Sequence, residues 1–220
     1  MQFLDYHEHL LKLAAVVYRS GRDDVDGLLA AFAADLVCNG HRIGGVVQHN
    51  GASDLSPGSM SLIDLMSGRV ISISQELGGS SSACRLDPSG LAEATVAVSR
   101  AIDESVELVI VNKFSKQEAA GGGMRSAIAE AVVAGLPILT AVSDKCYDDW
   151  MAFTGGYGTT LACERRVVAD WWRETSQRER RSRILASLDR AFESAARPTF
   201  VETVEPALLS YDDVGRLDHG

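Results

Sequence analysis

Short apolar, β-branched runs alternate with helical patterns along most of this chain, and that alternation limits its fold more than any other feature. It is typical of a largely parallel sheet with helices on both faces. The run ELVIVNK, residues 107–113, is nearly continuous in apolar residues, as expected of a strand that is buried on both sides. The sequence therefore predicts an α/β fold with a mostly parallel, doubly wound sheet.

The same periodicities predict where the individual elements lie. Strands are expected at 11–18, 41–50, 107–113 and 136–143, and helices at 24–39, 88–104, 124–135 and 146–153. Two alternating runs within 61–75, joined at Ser67-Gly68, predict an antiparallel hairpin at the edge of the sheet. The pair Gly44-Gly45 suggests close backbone approach to the second strand.

The composition changes at Glu164, where an Arg-rich helical pattern begins. We expect three parts: an α/β domain at 1–163, a C-terminal helical cover at 164–197 and an acidic tail at 198–220. The apolar positions of the cover recur at helical spacing, which favours a solvated pair of helices packed on the sheet. A protein partner that binds through 164–197 is the alternative.

The bulk composition excludes several classes of protein. A chain of 220 residues with 46% hydrophobic content can bury the core of one α/β domain, and a net charge of −9 argues against nucleic-acid binding. The apolar runs are too short to cross a bilayer and no signal peptide is recognisable, so we expect a cytoplasmic protein. Its cysteines are scattered without a C-x-x-C pair and are predicted to be thiols rather than zinc ligands.

Three glycine-bearing loops precede helices: 19–26, 76–90 and 112–123. In open α/β sheets, ligands bind beyond the carboxyl ends of the strands, where these loops are predicted to converge. Each helix start offers free N–H groups and a partial positive charge, so each loop is a candidate seat for an anion.

The first loop resembles a phosphate-binding turn but lacks its Gly-Lys-Ser/Thr ending. Gly21 and Arg22 are followed by Asp23, Asp24 and Asp26, which stand where an anion would have to sit. These carboxylates either cap their own helix, or bind an anion through an intervening metal, for which Asp24 is a weak candidate ligand.

The third loop is the stronger candidate. Lys113, Lys116 and Arg125 flank three consecutive glycines, Gly121, Gly122 and Gly123, ahead of a helix. Three glycines cost backbone entropy on folding, which favours a binding role for the loop over a passive connection. On the middle loop, Ser80, Ser81 and Arg85 form a second candidate set.

Five stretches resemble one bacterial family: VVYRSG, GGVVQ, ACRLDPSGLAEA, VIVNKFSKQEAAGGGMRSAIAEAVVAGLPILTAV and FTGGYGTTL. The chain is identified by them as a member of domain of unknown function 2478 (DUF2478), over roughly Lys12–Trp171. The resemblance implies a fold of the P-loop nucleoside triphosphatase type. It also implies a role near molybdate uptake and molybdenum enzymes.

Small P-loop nucleoside triphosphatases similar to this family carry a second motif, Asp-Glu-x-Gly-x-x-Glu. The resemblance places the magnesium-associated Asp on Asn112, the Glu that assists water on Lys113, and the Gly on Ser115. Only the last acid is kept, as Glu118, a second weak candidate for a metal ligand. Because phosphoryl transfer depends on positioned Mg²⁺ and charge neutralisation, the changes predict little or no hydrolysis.

Three functions follow from these observations. The first is a catalytically degenerate protein that binds a nucleotide or an oxyanion such as molybdate, in an accessory or regulatory role in molybdenum metabolism. The second is an active, Mg²⁺-dependent nucleoside triphosphatase that uses Asp23, Asp24 and Glu118 as replacement metal ligands. The third is an adaptor that contacts proteins through its C-terminal region.

Overall fold

One mixed sheet of seven strands lies in the first of the two units into which the chain divides, Met1–Glu179 and Arg180–Gly220. The computed structural model describes residues 12–49, 60–75 and 85–196. Within these ranges the strands are β1 (Leu13–Tyr18), β2 (Ile43–His49), β3 (Ser61–Asp64), β4 (Val70–Ser72), β5 (Ser74–Gln75), β6 (Arg85–Leu86), β7 (Leu108–Phe114), β8 (Ile138–Ser143) and β9 (Thr159–Ala162). The helices are α1 (Val25–Cys38), α2 (Pro88–Asp103), α3 (Lys116–Ala119), α4 (Arg125–Val133), α5 (Tyr147–Thr154) and α6 (Arg165–Ala196).

The strand order is β4-β3-β2-β7-β8-β1-β9, and the five strands from β2 to β9 are parallel. The strands β3 and β4 form an antiparallel hairpin at one edge, and β5 pairs with β6 in a small separate sheet. The predicted fold class and hairpin are confirmed, whereas β9 was not predicted. Because parallel strands point the same way, the carboxyl ends of β1, β2, β7 and β8 meet at one edge.

Helices cover both faces of the sheet. On one face, α2, α4 and α5 bury a core that contains Phe114 and Trp150. On the other face, α1 and the beginning of α6 bury a second core that contains Trp171 and Trp172. All three tryptophans, Trp150, Trp171 and Trp172, are buried in these cores, and the two cores make the sheet doubly wound.

The glycine pair of β2 allows the close backbone approach that the sequence suggested. A Cβ atom on Gly44 would lie 2.4 Å from Cβ of Ala101 in α2. Gly45 has a φ of +95°, and a Cβ atom there would lie 2.1 Å from the carbonyl oxygen of Ile110 in β7. Larger residues would therefore push α2 and β7 away from β2.

The Arg-rich region forms one continuous helix, α6, rather than the predicted pair. Residues 165–196 contain neither glycine nor proline, so nothing in the sequence breaks the helix. The predicted boundary at 163/164 stays a prediction, and the acidic tail, 198–220, lies outside the described residues. In the part of the chain that is described, we find no helix with the length and apolar character needed to cross a membrane.

Candidate functional site

A β-bulge shapes the carboxyl end of β7. Val111 pairs with Thr140 of β8, and Phe114 pairs with Val142, so three steps along β7 match two steps along β8. Bulges of this kind redirect side chains and are common beside functional sites. The bulge contains Asn112, which is buried, and Lys113, which is partly exposed.

Lys113 joins the third loop to the first. Its ammonium group donates to Asp26 Oδ2 at 2.9 Å and to Gln48 Oε1 at 3.1 Å, and it lies 5.8 Å from the centroid of the Tyr18 ring. The charge of Lys113 is therefore matched within the protein by the carboxylate of Asp26. Burial raises the pKa of the Tyr18 hydroxyl, and the negative charge of Asp26 adds to the effect.

Asn112 fastens β7 to β2. Its Oδ1 accepts a hydrogen bond from the backbone N–H of Gln48 at 2.9 Å, and its Nδ2 donates to Gln48 Oε1 at 3.4 Å. The resemblance to nucleoside triphosphatases places the magnesium-associated Asp at this position. Here a neutral amide stands there, with both of its polar atoms in contact with Gln48.

Glu118 occupies the position where an external anion was predicted. It is 3% exposed, and its Oε2 accepts from the backbone N–H of Ser115 at 2.9 Å and from the hydroxyl at 2.8 Å. Its Oε1 accepts from the backbone N–H of Met124 at 3.0 Å, at the start of α4. An internal carboxylate thus occupies the anion-binding position in front of this helix. Both of its oxygens accept hydrogen bonds from backbone N–H or hydroxyl groups.

Of the three glycines, Gly121 and Gly122 close α3, and Gly123 makes room for that carboxylate. The N–H of Gly121 donates to the carbonyl of Glu118 at 3.1 Å, and that of Gly122 donates to the carbonyl of Gln117 at 2.9 Å, which closes α3. Gly123 has a φ of +58°, and a Cβ atom there would lie 2.0 Å from Glu118 Oε1. The glycine run therefore has a structural explanation that does not require a ligand.

The remaining predicted cations differ in their exposure. Arg125 donates to the carbonyl of Glu118 at 3.0 Å, and its guanidinium lies 4.4 Å from the centroid of the Phe153 ring. Lys116 in α3 and Arg22 in the first loop are exposed. These two are better placed than Lys113 or Arg125 to meet a charged group from solvent.

The first loop neutralises and caps itself. Arg19 donates to Asp23 through its backbone N–H at 2.7 Å and through its guanidinium at 3.1 and 3.2 Å, and these hydrogen bonds lower the pKa of Asp23. Asp24 Oδ1 accepts from the backbone N–H of Gly27 at 2.9 Å and caps α1. Gly21 adopts a φ of +77° in the turn. The self-capped helix start that was one interpretation of this loop is therefore present, and binding of an anion through a metal stays a prediction.

The middle loop lies largely outside the described residues, including Ser80 and Ser81. Arg85 contributes its backbone to β6, but its side chain is also outside the described part. Among the residues that are described, no group of three or more His, Cys, Asp or Glu side chains could hold a metal ion. Of the four cysteines, Cys38, Cys146 and Cys163 are free thiols.

A cavity of about 210 Å³ lies between α2 and the carboxyl ends of β2 and β7. Its apolar walls are formed by Met60, Leu62, Ile73, Leu86, Leu91 and Met124. Its polar lining comes from Gln48, Asn112, Lys113, Ser115, Gln117 and Glu118. The end of the middle loop and the third loop therefore meet in one cavity. The sequence did not predict its apolar walls, because residues far apart in the chain form them.

Residues 13–171 match the family described as "Protein of unknown function (DUF2478)". The chain belongs to the DUF2478 family. The match covers nearly the whole of the sheet and both of its cores, so the resemblance expected from the sequence is confirmed.

A curated relative of this DUF2478 chain is "Molybdenum import ATP-binding protein ModC 2" of Bradyrhizobium diazoefficiens (strain JCM 10833 / BCRC 13528 / IAM 13628 / NBRC 14792 / USDA 110). The two are 56% identical over 177 residues, which is 78% of this chain but 19% of the relative. This chain thus spans about a fifth of the length of the relative it matches.

A solved structure with some likeness is "Solution Structure of a Human Cancer-Related Nucleoside Triphosphatase". The superposition covers 60% of this DUF2478 chain and 76% of the chain in that structure, at 11% sequence identity and a TM-score of 0.45. A likeness of that degree decides nothing about the activity of the DUF2478 chain.

A second cavity of about 210 Å³ in the DUF2478 chain lies between the hairpin and α2. The buried Asp64 accepts from Ser67 Oγ at 2.5 Å and forms an ion pair with Arg100, and Arg69 pairs with Glu93 at 2.7 Å. These pairs fasten the hairpin to α2. We assign the cluster a structural role.

Proposed function

We propose that this DUF2478 chain is a nucleotide-binding domain that does not hydrolyse its ligand and has an accessory or regulatory role in molybdenum import. One observation carries the proposal. Asn112 and Lys113 stand where the resemblance puts the magnesium ligand and the acid that assists water, and both are held in hydrogen bonds within the protein.

The first loop supports the same conclusion. Phosphoryl transfer needs a cation beside the phosphates and a bound Mg²⁺. There is little other chemistry for the protein to supply. Arg19 is paired with Asp23, and Asp24 caps α1, so the turn presents carboxylates rather than a lysine and a hydroxyl. A triphosphate placed here would meet the carboxylate of Asp24, and the exposed Arg22 is not an equivalent replacement for the missing lysine.

The cavity supports an organic ligand over a bare oxyanion. Small-molecule sites are concave and mostly apolar, with a few polar groups that fix orientation, and this cavity has that composition. A molybdate dianion between Leu62, Leu91 and Met124 would lose hydration against apolar walls and would meet the Glu118 carboxylate on the same lining. The words "ATP-binding protein" and "molybdenum import" in the name of the relative support a nucleotide and the pathway.

Calorimetry and a phosphate-release assay test the proposal together. The purified protein is titrated with ATP, ADP, GTP and molybdate, with and without Mg²⁺, and the same solutions are assayed for free phosphate. We expect binding of at least one nucleotide and no phosphate release above that of buffer. Mg²⁺-dependent turnover that is lost in Asp24→Asn but kept in the exposed control Asp103→Asn would establish an active triphosphatase instead.

Contact with another protein through α6 is a second candidate function. Ile184, Leu185, Leu188 and Phe192 are between 48% and 72% exposed and recur at helical spacing. Clustered exposed apolar side chains are a common sign of an interaction surface. In the curated relative, the matching region is part of a longer chain, which favours an ATP-binding subunit of a molybdenum importer as the partner.

Co-elution of the two purified proteins tests this second candidate. We expect wild-type chain to co-elute with the importer's ATP-binding subunit, and the double variant Leu188→Glu/Phe192→Glu to elute alone. The control Val133→Glu changes an exposed apolar residue of α4 instead. Equal co-elution of all three proteins would contradict a role for this face of α6.

A further inference from the structure

We infer that the cavity beside α2 binds the heterocyclic ring of the nucleotide and leaves its phosphates outside, next to α3. This inference rests on the proposed function and adds the orientation of the ligand. It also assigns a ring subsite to residues that the sequence did not single out, chiefly Met60, Leu62, Leu91 and Met124.

The size of the cavity limits what it can enclose. Sites that enclose whole drug-sized ligands typically measure some 300–1,000 Å³. At about 210 Å³, this cavity has room for one fused ring system and not for a ring, a sugar and three phosphates together. The remainder of a nucleotide must therefore lie outside the cavity.

The lining suits a ring with a hydrogen-bonding edge. Leucine and isoleucine side chains form apolar walls, and Met60 and Met124 add thioether sulfurs, which make favourable contacts with aromatic rings. Ser115 and Gln117 lie on the same lining. The Ser115 hydroxyl, whose hydrogen is donated to Glu118, can still accept, and the Gln117 carboxamide can donate and accept. A heterocyclic base presents both donors and acceptors along its edge.

The interior does not suit phosphates. The positive charge of Lys113 is already matched by Asp26, and the start of α4 is already occupied by the Glu118 carboxylate. The N–H groups of Gly121 and Gly122 donate to carbonyls of α3. A phosphate in the cavity would therefore meet a buried carboxylate without gaining a free cation.

An exposed cation stands outside the cavity instead. Lys116 lies between Ser115 and Gln117 in the chain, and both of these residues line the cavity. A ligand whose ring enters beside them brings its phosphates toward α3. The result is a ring-in, phosphate-out orientation.

Calorimetry with three probes tests this orientation on the wild-type protein. The probes are the tightest-binding nucleoside triphosphate, its nucleoside, and inorganic tripolyphosphate. We expect the nucleoside to bind within about tenfold of the nucleotide, and tripolyphosphate to leave nucleotide binding unchanged. Displacement of the nucleotide by tripolyphosphate, together with no binding of the nucleoside, would overturn the orientation.

Matched variants locate the subsite. Leu91→Trp on the cavity side of α2 should weaken nucleoside binding at least tenfold, whereas Val96→Trp, at a position that is 66% exposed on the same helix, should not. Lys116→Ala should weaken binding of the triphosphate and leave that of the nucleoside unchanged. Unchanged binding in Leu91→Trp, in protein with a wild-type melting temperature, would contradict the subsite.

The outcomes separate the two proposals. Suppose that nucleotides bind, but the nucleoside does not bind and Leu91→Trp does not weaken nucleotide binding. The orientation is then wrong and the proposed function stands. If no nucleotide and no nucleoside binds, the proposed function itself is wrong, and the orientation is overturned with it.

Discussion

Lys113 Nζ lies 2.9 Å from Asp26 Oδ2, and this ion pair connects the end of β7 to the first turn of α1 across 87 residues of sequence. The side chains are 26% and 16% exposed, so water screens the pair only partly. Two loops that the sequence proposed as separate anion seats are in this way joined by opposite charges.

The two charges should depend on each other for stability. Asp26→Asn and Lys113→Met should each lower the free energy of unfolding by about 1–3 kcal/mol, because each leaves a partly buried charge without its partner. The double variant should cost less than the sum, by about 1 kcal/mol. Urea denaturation of wild type, the two single variants and the double variant measures these free energies of unfolding.

The exposed pair Arg178–Glu174 provides the control, where Glu174→Gln should change the free energy of unfolding by less than about 0.5 kcal/mol. Simple additivity at Asp26 and Lys113 would contradict the coupling.

The glycine run should tolerate alanine unequally. Gly121 and Gly123 both have positive φ, but a Cβ atom at Gly121 meets nothing within 4 Å, whereas one at Gly123 meets Glu118 Oε1 at 2.0 Å. Gly121→Ala should cost about 1 kcal/mol from backbone strain alone. We expect Gly123→Ala to cost at least about twice as much, since it also displaces a buried carboxylate. Equal melting temperatures for the two variants would show that Glu118 is not held as described.

Replacement of two buried threonines by valine should change the free energy of unfolding in opposite directions. Thr140 Oγ1 in β8 is buried and has no hydrogen-bond partner among the described residues, whereas Thr154 Oγ1 donates to the carbonyl of Trp150 at 3.1 Å. Thr140→Val should stabilise the fold by about 1 kcal/mol, because it removes an unsatisfied hydroxyl at nearly constant volume. Thr154→Val should destabilise it by about 1 kcal/mol through the lost hydrogen bond. Chemical denaturation of both variants checks the sign; a destabilised Thr140→Val would point to a partner for that hydroxyl.

Asp64 should make stability depend on acid pH. Burial raises the pKa of its carboxyl group, but hydrogen bonds from Ser67, Met66 and Arg100, with the charge of Arg100, outweigh burial and lower the pKa. A lowered pKa in the folded state stabilises the fold above the unfolded value of about 3.9, and this contribution is lost as the pH falls through the folded pKa.

Comparison of wild type with Asp64→Asn isolates that contribution. At pH 6 the variant should be less stable by about 1–3 kcal/mol, and the difference should shrink as the pH falls below about 4. The exposed Asp103→Asn on α2 serves as the control and should show a small difference that does not depend on pH. A gap between wild type and Asp64→Asn that is constant from pH 6 to pH 3 would contradict the lowered pKa.

Local patterns were sufficient to predict much of the fold. The apolar run at 107–113 predicted β7, the alternation around Ser67-Gly68 predicted the β3–β4 hairpin, and Gly44-Gly45 predicted a close approach that α2 and β7 make. These predictions succeeded because they rest on local features of the chain. Helix and strand periodicity, turn residues and paired glycines each involve residues that are close together in sequence. The predicted pair of C-terminal helices was wrong, because residues 165–196 contain no glycine or proline that would end a first helix, and the helical period alone does not count helices.

The sequence by itself determined the α/β architecture and the absence of a lysine from the first loop. Only the tertiary structure decided what the polar residues at the end of the sheet do. The bulge in β7 brings Lys113 to Asp26, and the turn after α3 brings Glu118 under the start of α4. The partner of Lys113 is 87 residues away in the chain, and Glu118 reaches the start of α4 only because the intervening turn folds back, so residue spacing alone revealed neither contact.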